Sequence, residues 1–145
     1  MDDDIRWIQR YSNFKKALNQ LSRFVQKKEL NEMEEQGLIQ SFEYTCELAW
    51  KTLQDFLEEV SGYSSIRGPR PVIMQAFKDG LIGDGEKWMQ ILKDRNRTVH
   101  TYDEEIAREI VHSVQNEYYD LFVELDKIFQ NIKSNNNHYG RRSKQ

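Results

Sequence analysis

The residues whose types and spacing could support catalysis lie in the segment from Asp94 to Glu104, here called the corner (DRNRTVHTYDE). Within it, Arg95 and His100 stand five positions apart, and Tyr102 follows two positions later. Histidine titrates near neutral pH, and arginine is a permanent cation that grips phosphate through two N–H groups. The pair suits metal-free cleavage of RNA, with His100 as general acid or base and Arg95 stabilising the charge on the phosphorane.

Helical geometry limits how these side chains could meet. At 100° per residue, Asn96 and His100 share one face of a regular helix, so Asn96 is placed to orient the imidazole. Arg95 and His100 lie about 140° apart. They converge only if the helix breaks near Val99, if Arg95 reaches around, or if a second subunit completes the site. In the alternative, a plain helix corner, His100 caps carbonyl groups and Arg95 pairs with a neighbouring carboxylate. That carboxylate would be Asp94, Asp103 or Glu104.

A second candidate site is the loop 61–71, which is dense in turn-forming residues and carries Arg67 and Arg70. Arginines beside the start of the next helix could bind an anion or a nucleotide together with free backbone amides. The alternative is two solvated arginines. Arg97 is a further cation in the corner, and it would add phosphate affinity or only solubility.

Metal or cofactor chemistry finds little support in the sequence. The histidines His100, His112 and His138 are scattered, and no His/Cys cluster has the spacing of a zinc site. Cys46 is the only cysteine, and it lies on an apolar stripe where a small core residue is expected. We therefore expect no metal and no cofactor.

Apolar residues that recur at three- and four-residue steps predict that helices position these side chains. The short helix is expected to turn Ala76 and Phe77 inward and to end at a Gly80 cap. Thr101 with Glu104 fits a capping box at the start of the last helix. The expected helices cover about 4–28, 31–59, 72–78, Asp84 into the corner, and Tyr102 or Asp103 to about Lys133. No strand pattern occurs, so the predicted fold is all-α, an antiparallel up-and-down bundle of four long helices and one short one.

Composition indicates a single domain. The chain has 145 residues, of which 38% are apolar and 31% charged, and we interpret 1–133 as the helical domain and 134–145 as a disordered polar, basic tail. The net charge of −3 argues against coating nucleic acid by bulk charge. No apolar run approaches the roughly 18 residues of a membrane span, and the acidic start is unlike a secretory signal. A cytoplasmic protein is the expectation.

Three stretches resemble the HEPN-type proteins known as nucleotidyltransferase substrate-binding proteins, which are encoded beside a minimal nucleotidyltransferase. The stretches are Phe42–Leu53, Pro69–Ile82 and Asp94–Asp103, and with the first and last helical stripes they cover most of 5–132. The resemblance implies a bundle similar to the C-terminal domain of kanamycin nucleotidyltransferase, usually a homodimer.

The resemblance also implies two alternative functions. In our main prediction, the chain is the substrate-binding partner of a separate minimal nucleotidyltransferase and does not itself transfer nucleotides. In the alternative, the Arg-x4-His-x-Tyr pattern marks a metal-independent HEPN ribonuclease toxin. Arg95 and His100 are then catalytic, Asn96 accompanies them, and the nucleotidyltransferase is an antitoxin that adenylylates Tyr102. Alternatively, Tyr102 is an exposed tyrosine with only a structural role. RNA or a nucleotide is the ligand that this resemblance suggests.

Overall fold

The computed structural model describes the backbone of residues 2–143 and the side chains of residues 6–135, and every regular element in that range is helical. The α-helices are α1 (Asp2–Gln26), α2 (Glu32–Glu59), α3 (Pro69–Lys78), α4 (Gly85–Arg97), α5 (Glu104–Ser113) and α6 (Tyr119–Ser143). A 3₁₀ turn, Thr98–His100, follows α4, and a π-helical turn, Val114–Tyr118, joins α5 to α6. The predicted all-α fold is confirmed.

Helices α1 and α2 form an antiparallel hairpin. Arg6 Nε donates to Glu59 Oε1 over 2.7 Å at one end, and Lys27 pairs with Glu34 at the other. Asn31 starts α2 with a reciprocal capping box, because its side chain accepts from the Glu34 amide while the Glu34 carboxylate accepts from the Asn31 amide. The local sequence therefore fixes where the second helix begins.

The core lies where α6 runs back antiparallel to α1 and packs against α2. Trp7 and Phe129 have ring centroids 5.6 Å apart, and Phe14 and Phe122 are 6.3 Å apart, so the two helices meet along a ladder of aromatic rings. Cys46 is buried in α2, as its place on the apolar stripe predicts. Burial of these rings is the main source of stability, because aromatic side chains remove large apolar areas from water.

The end of α3 matches its prediction. Gly80 has a φ of +76°, its amide donates to the Phe77 carbonyl, and the next amide, of Leu81, donates to the Ala76 carbonyl. This bonding pattern is a Schellman motif, which needs a residue in the left-handed conformation after the helix. Glycine adopts that conformation without steric cost.

The expectation that Phe77 turns inward is wrong. Ala76 is buried, whereas Phe77 is 51% exposed. Its ring rests against the start of α4, where a Cβ added to Gly85 would come within 2.9 Å of the ring. Because Gly85 has no side chain, the Phe77 ring can pack against the backbone of α4 at the surface, outside the core.

Two predicted helix ends are corrected. The capping box at Thr101 is not formed, because Asp103 is the N-cap of α5 and accepts from the amides of Glu105 and Ile106. The Thr101 hydroxyl instead donates to the Thr98 carbonyl over 2.9 Å.

The second correction concerns the C-terminal end of the last helix. The backbone of α6 continues past the predicted end near Lys133 to Ser143. The polar residues there cost only tenths of a kcal/mol each in helix propensity, roughly, and no proline interrupts them. A separate tail over 134–145 stays a prediction.

None of the helices in the described range is both long and apolar enough to cross a membrane.

Candidate functional site

The corner is a bent helix end. The α-helical hydrogen bonding of α4 stops at Arg97, and the 3₁₀ turn that follows is closed by the Thr101 amide, which donates to the Thr98 carbonyl over 3.3 Å. The Thr98 hydroxyl donates back to the Arg95 carbonyl over 2.7 Å. The amide of Asp103 then donates to the His100 carbonyl, which turns the chain toward α5. The predicted break near Val99 is therefore present.

This break does not bring Arg95 and His100 together within one chain. A 3₁₀ turn advances about 120° per residue instead of 100°, so it does not close the angle between them. Arg95 faces α2, where its Nε lies 3.2 Å from Glu47 Oε1. The plain-corner alternative expected Asp94, Asp103 or Glu104 as the partner of Arg95, but the carboxylate that pairs with this arginine lies on α2. Among the described side chains, no hydrogen bond joins Arg95 to His100.

His100 instead contacts Tyr102. Its Nδ1 lies 3.3 Å from the Tyr102 hydroxyl, and the two rings meet edge to face with centroids 5.9 Å apart. Both side chains are exposed, Tyr102 at 82%. The imidazole and the phenol therefore form a small polar pair that a partner macromolecule can reach.

Asn96 does not orient His100. Its side chain is exposed and borders a recess next to Arg95, and it makes no hydrogen bond to the imidazole within the described part of the chain. The shared face of a regular helix is lost because the 3₁₀ turn begins between the two residues. The hydrogen bond by which Asn96 was predicted to orient the His100 imidazole is therefore absent from the described side chains.

Arg97 has a structural role. It donates to Asp94 over 3.0 Å and to Glu109 of α5 over 2.6 Å, and these hydrogen bonds, the one to Glu109 foremost, raise the pKa of its guanidinium. Asp94 is itself buried and also accepts from the Tyr118 hydroxyl. The arginine thereby ties α4 to α5 across the corner. Nothing in the sequence distinguishes Tyr118 as part of this network, because on the apolar stripe of the last helix a tyrosine looks like any other core residue.

The loop arginines separate into two cases. Arg67 pairs with Glu58 of α2. Arg70 is exposed on the first turn of α3 and makes no ion pair with any described side chain. The two prolines that flank it, Pro69 and Pro71, have no N–H, so the first three positions of α3 offer only the Arg70 amide. The predicted cradle of several free amides is therefore absent from this helix start.

A recess of about 420 Å³ opens between α2, α3 and α4. It brings Arg70 and Arg95 to one site, although they are 25 positions apart in the sequence. Its walls include Glu47, Trp50, Lys93 and Met89. Neither Trp50 nor Lys93 is a predicted site residue, although Trp50 lies within the stretch that carries the family resemblance. A wider, more apolar recess adjoins it through Arg70 and Met89.

No described group of three or more His, Cys, Asp or Glu side chains is placed to hold a metal ion.

The bundle has the helical fold of a substrate-binding domain of a nucleotidyltransferase. Residues 9–131 match the family described as "Nucleotidyltransferase substrate binding protein like", and the chain belongs to this family. The resemblance found in the sequence is confirmed.

Known relatives have the same fold. A crystal structure of a Thermus thermophilus protein is 34% identical with a TM-score of 0.73, and the match covers 77% of this chain and 94% of that one. The structure of HI0074 from Haemophilus influenzae, reported as revealing the fold of a substrate binding domain of a nucleotidyltransferase, is 25% identical with a TM-score of 0.56 over 83% of this chain and 94% of that one. A Haemophilus influenzae protein called "Probable ribonuclease HepT" is 29% identical over an alignment of 107 residues, and the match covers 69% of this chain and 68% of that protein.

Proposed function

We propose that the chain is the substrate-binding subunit of a two-component system in which a separate minimal nucleotidyltransferase supplies catalysis. The family match over 9–131 and the likeness to HI0074 support this function. The observation that carries it is the recess beside Arg95, because its walls combine cations with an apolar face, as small-molecule sites do.

The exposed corner is the surface we assign to the nucleotidyltransferase. Val99 is 69% exposed and stands beside His100 and Tyr102, so an apolar contact and two polar groups project together from one turn. Tyrosine is enriched at the centres of protein interfaces, and Val99 adds exposed apolar surface beside it.

Copurification tests this assignment. We expect the chain to form a complex at micromolar concentration with a minimal nucleotidyltransferase encoded beside it, as measured by size-exclusion chromatography with light scattering. Val99→Asp should weaken the complex, because it places a charge in the contact. Val60→Asp is the matched control, since Val60 is a partly exposed valine at the end of α2, outside the corner. Failure of the wild-type proteins to associate would exclude the proposal.

A second function, metal-independent RNA cleavage, is favoured by the contact between His100 and Tyr102 and by the relative named as a probable ribonuclease. His100 is exposed and free to exchange protons with RNA, as a general acid or base must. Arg95 is paired with Glu47, and it would have to release this carboxylate in order to bind the phosphate of RNA. Because Arg95 and His100 do not meet in one chain, this function requires a homodimer in which the corners of two copies face each other.

Modification of Tyr102 would then silence the site. In adenylylation, the phenolic oxygen would form a bond to the α-phosphorus of ATP, pyrophosphate would leave, and the phenolic proton would pass to a base. The new phosphodiester would stand beside the imidazole, since the hydroxyl now lies 3.3 Å from His100 Nδ1. A fixed negative charge there would repel the phosphate of RNA.

An RNA cleavage assay in the presence of a chelator distinguishes the two functions. A ribonuclease should cleave RNA in proportion to dimer concentration, and both His100→Ala and Arg95→Ala should abolish cleavage. His112→Ala is the matched control, because His112 is an exposed histidine on α5 that contacts only Asn116 through hydrogen bonds in the described structure. Intact RNA at every concentration of the pure dimer would leave substrate binding as the function.

A further inference from the structure

We propose that the recess between α2, α3 and α4 binds a small phosphate ester that carries a planar group, in the simplest case a nucleoside monophosphate. The inference rests on the proposed substrate-binding function and names the substrate class. It concerns a site 420 Å³ in volume, within the roughly 300–1,000 Å³ that small-molecule pockets occupy, so the occupant is one nucleotide-sized ligand and not a strand of RNA.

The charges of the recess favour an anion. Arg70, Lys93 and Arg95 face the carboxylates of Glu47 and Glu86. Glu47 is already neutralised, since Arg95 Nε lies 3.2 Å and Lys51 Nζ 3.7 Å from its oxygens.

Two cations of the recess form no ion pair with a described side chain, and with Glu86 as the only carboxylate besides Glu47 the charged residues that line the recess carry one net positive charge. Neither Arg70 nor Lys93 forms an ion pair with any described side chain, whereas the neighbouring Arg67 and Arg97 both do. The Arg70 amide adds a donor at the second position of α3, where the helix dipole is positive. A phosphate oxygen meeting this guanidinium would gain charge-assisted hydrogen bonds.

Trp50 supplies a wall for the planar group. Its indole lines the recess next to Met89 and Leu92, and such an apolar face accepts an aromatic ring by stacking. The indole N–H is buried and has no hydrogen-bond acceptor among the described residues, a state that buried donors rarely keep.

The recess is cationic at one end and apolar at the other, so tight binding requires both the phosphate and the planar group of the ligand. Cations at Arg70 and Lys93 recognise the phosphate, and Trp50 recognises the ring, so each part alone makes half of the contacts. In a two-component nucleotidyltransferase such a ligand would be the acceptor, held by this subunit while the partner delivers the nucleotidyl group.

Tryptophan fluorescence of the full chain tests the proposal directly. Trp7 and Trp88 are buried at 0% and 2% exposure, so a ligand-dependent change reports on Trp50. We expect AMP to change the emission saturably, with adenosine and inorganic phosphate each binding at least about tenfold more weakly, as loss of one charge-assisted hydrogen bond or one stacking contact implies. Trp50→Phe should remove the signal while calorimetry still detects binding.

Charge variants localise the ligand. Arg70→Ala should weaken AMP binding about tenfold. Arg108→Ala is the matched control, since Arg108 is an exposed arginine on α5, away from this recess, and should leave the affinity unchanged. Equal effects of the two variants, or no saturable AMP binding by the chain alone or in complex with its nucleotidyltransferase, would overturn the proposal. Binding of a short RNA but not of AMP would overturn it as well.

The two proposals fail separately. If the complex with the nucleotidyltransferase forms and AMP binds neither the chain nor the complex, the ligand assignment is wrong and the role as a partner subunit stands. If AMP binds in an Arg70-dependent manner and no complex forms, the recess is a ligand site and the two-component system is wrong.

Discussion

The hydroxyl of Tyr118 donates a 2.5 Å hydrogen bond to Asp94, and this contact fastens the π-helical turn of the last helix to the final turn of α4. The second carboxylate oxygen of Asp94 accepts from Arg97, which reaches on to α5. Hydrogen bonds from Tyr118 and Arg97 to the buried Asp94 carboxylate thus anchor the corner to α5 and to the π-helical turn. Single π-helical turns inside α-helices frequently occur at functional sites.

Removal of the Tyr118 hydroxyl should destabilise the fold. Tyr118→Phe leaves the buried carboxylate of Asp94 with one fewer donor, which costs about 1–3 kcal/mol of unfolding free energy. Urea denaturation followed by circular dichroism measures the loss. Tyr119→Phe is the matched control, because the hydroxyl of that neighbouring tyrosine makes no hydrogen bond to the described part of the protein, and its effect should be small. Equal losses in the two variants would contradict a special role for the bond.

The same bond predicts sensitivity to alkaline pH. Burial, followed by the hydrogen bond to Asp94, raises the pKa of Tyr118, and burial with a 2.7 Å hydrogen bond to Asp126 raises the pKa of Tyr11. The folded chain therefore holds these protons to higher pH than the unfolded chain. Their stabilising effect is complete below about pH 10, the ordinary tyrosine pKa, and declines above it by up to about 1.4 kcal/mol per pH unit for each group.

Unfolding free energies measured across the alkaline range test this linkage. Tyr118→Phe and Tyr11→Phe should each flatten the decline above about pH 10, whereas Tyr44→Phe should not, since Tyr44 is an exposed tyrosine. An unchanged slope in the Tyr118 variant would show that its proton is released equally in both states.

The Schellman motif at the end of α3 predicts a cost for a side chain at Gly80. Gly80→Ala forces alanine to a φ of +76°, which costs roughly 1–2 kcal/mol. Gly83→Ala is the matched control, because Gly83 has no positive φ and its added Cβ would meet nothing within 4 Å. Thermal unfolding should rank the Gly80 variant below both the wild type and the control, and the reverse order would refute the assignment of the cap.

Cys46 should be chemically inert in the folded state. Burial is the main cause that raises the pKa of its thiol to about 12, so the reactive thiolate is scarce at neutral pH. A thiol reagent such as Ellman's should therefore label the native chain only at the rate of its unfolding and label the urea-unfolded chain at once. Rapid stoichiometric labelling without denaturant would contradict this burial.

Much of the fold follows from local sequence because helices are local structures. The three- and four-residue spacing of apolar side chains predicts the ends of α1 and α2 within a few residues, although α6 runs on past its predicted end. The Gly80 cap follows from a turn that only its neighbours determine. Where two local signals compete, the sequence is less decisive. Thr101 and Asp103 both suit an N-cap, and the 3₁₀ turn engages the threonine hydroxyl, which leaves the aspartate to cap α5.

The sequence by itself determined that the chain is a helical bundle of this family and that Arg95, His100 and Tyr102 lie close together along the chain around a helix break, since periodicity and motif depend on neighbours in the chain. Only the tertiary structure decided where those side chains point. Packing of α4 against α2 turns Arg95 to Glu47 and away from His100, and it builds the recess with Trp50 and Arg70. Contacts between distant residues depend on how whole helices pack, and that packing is not encoded in any one stretch.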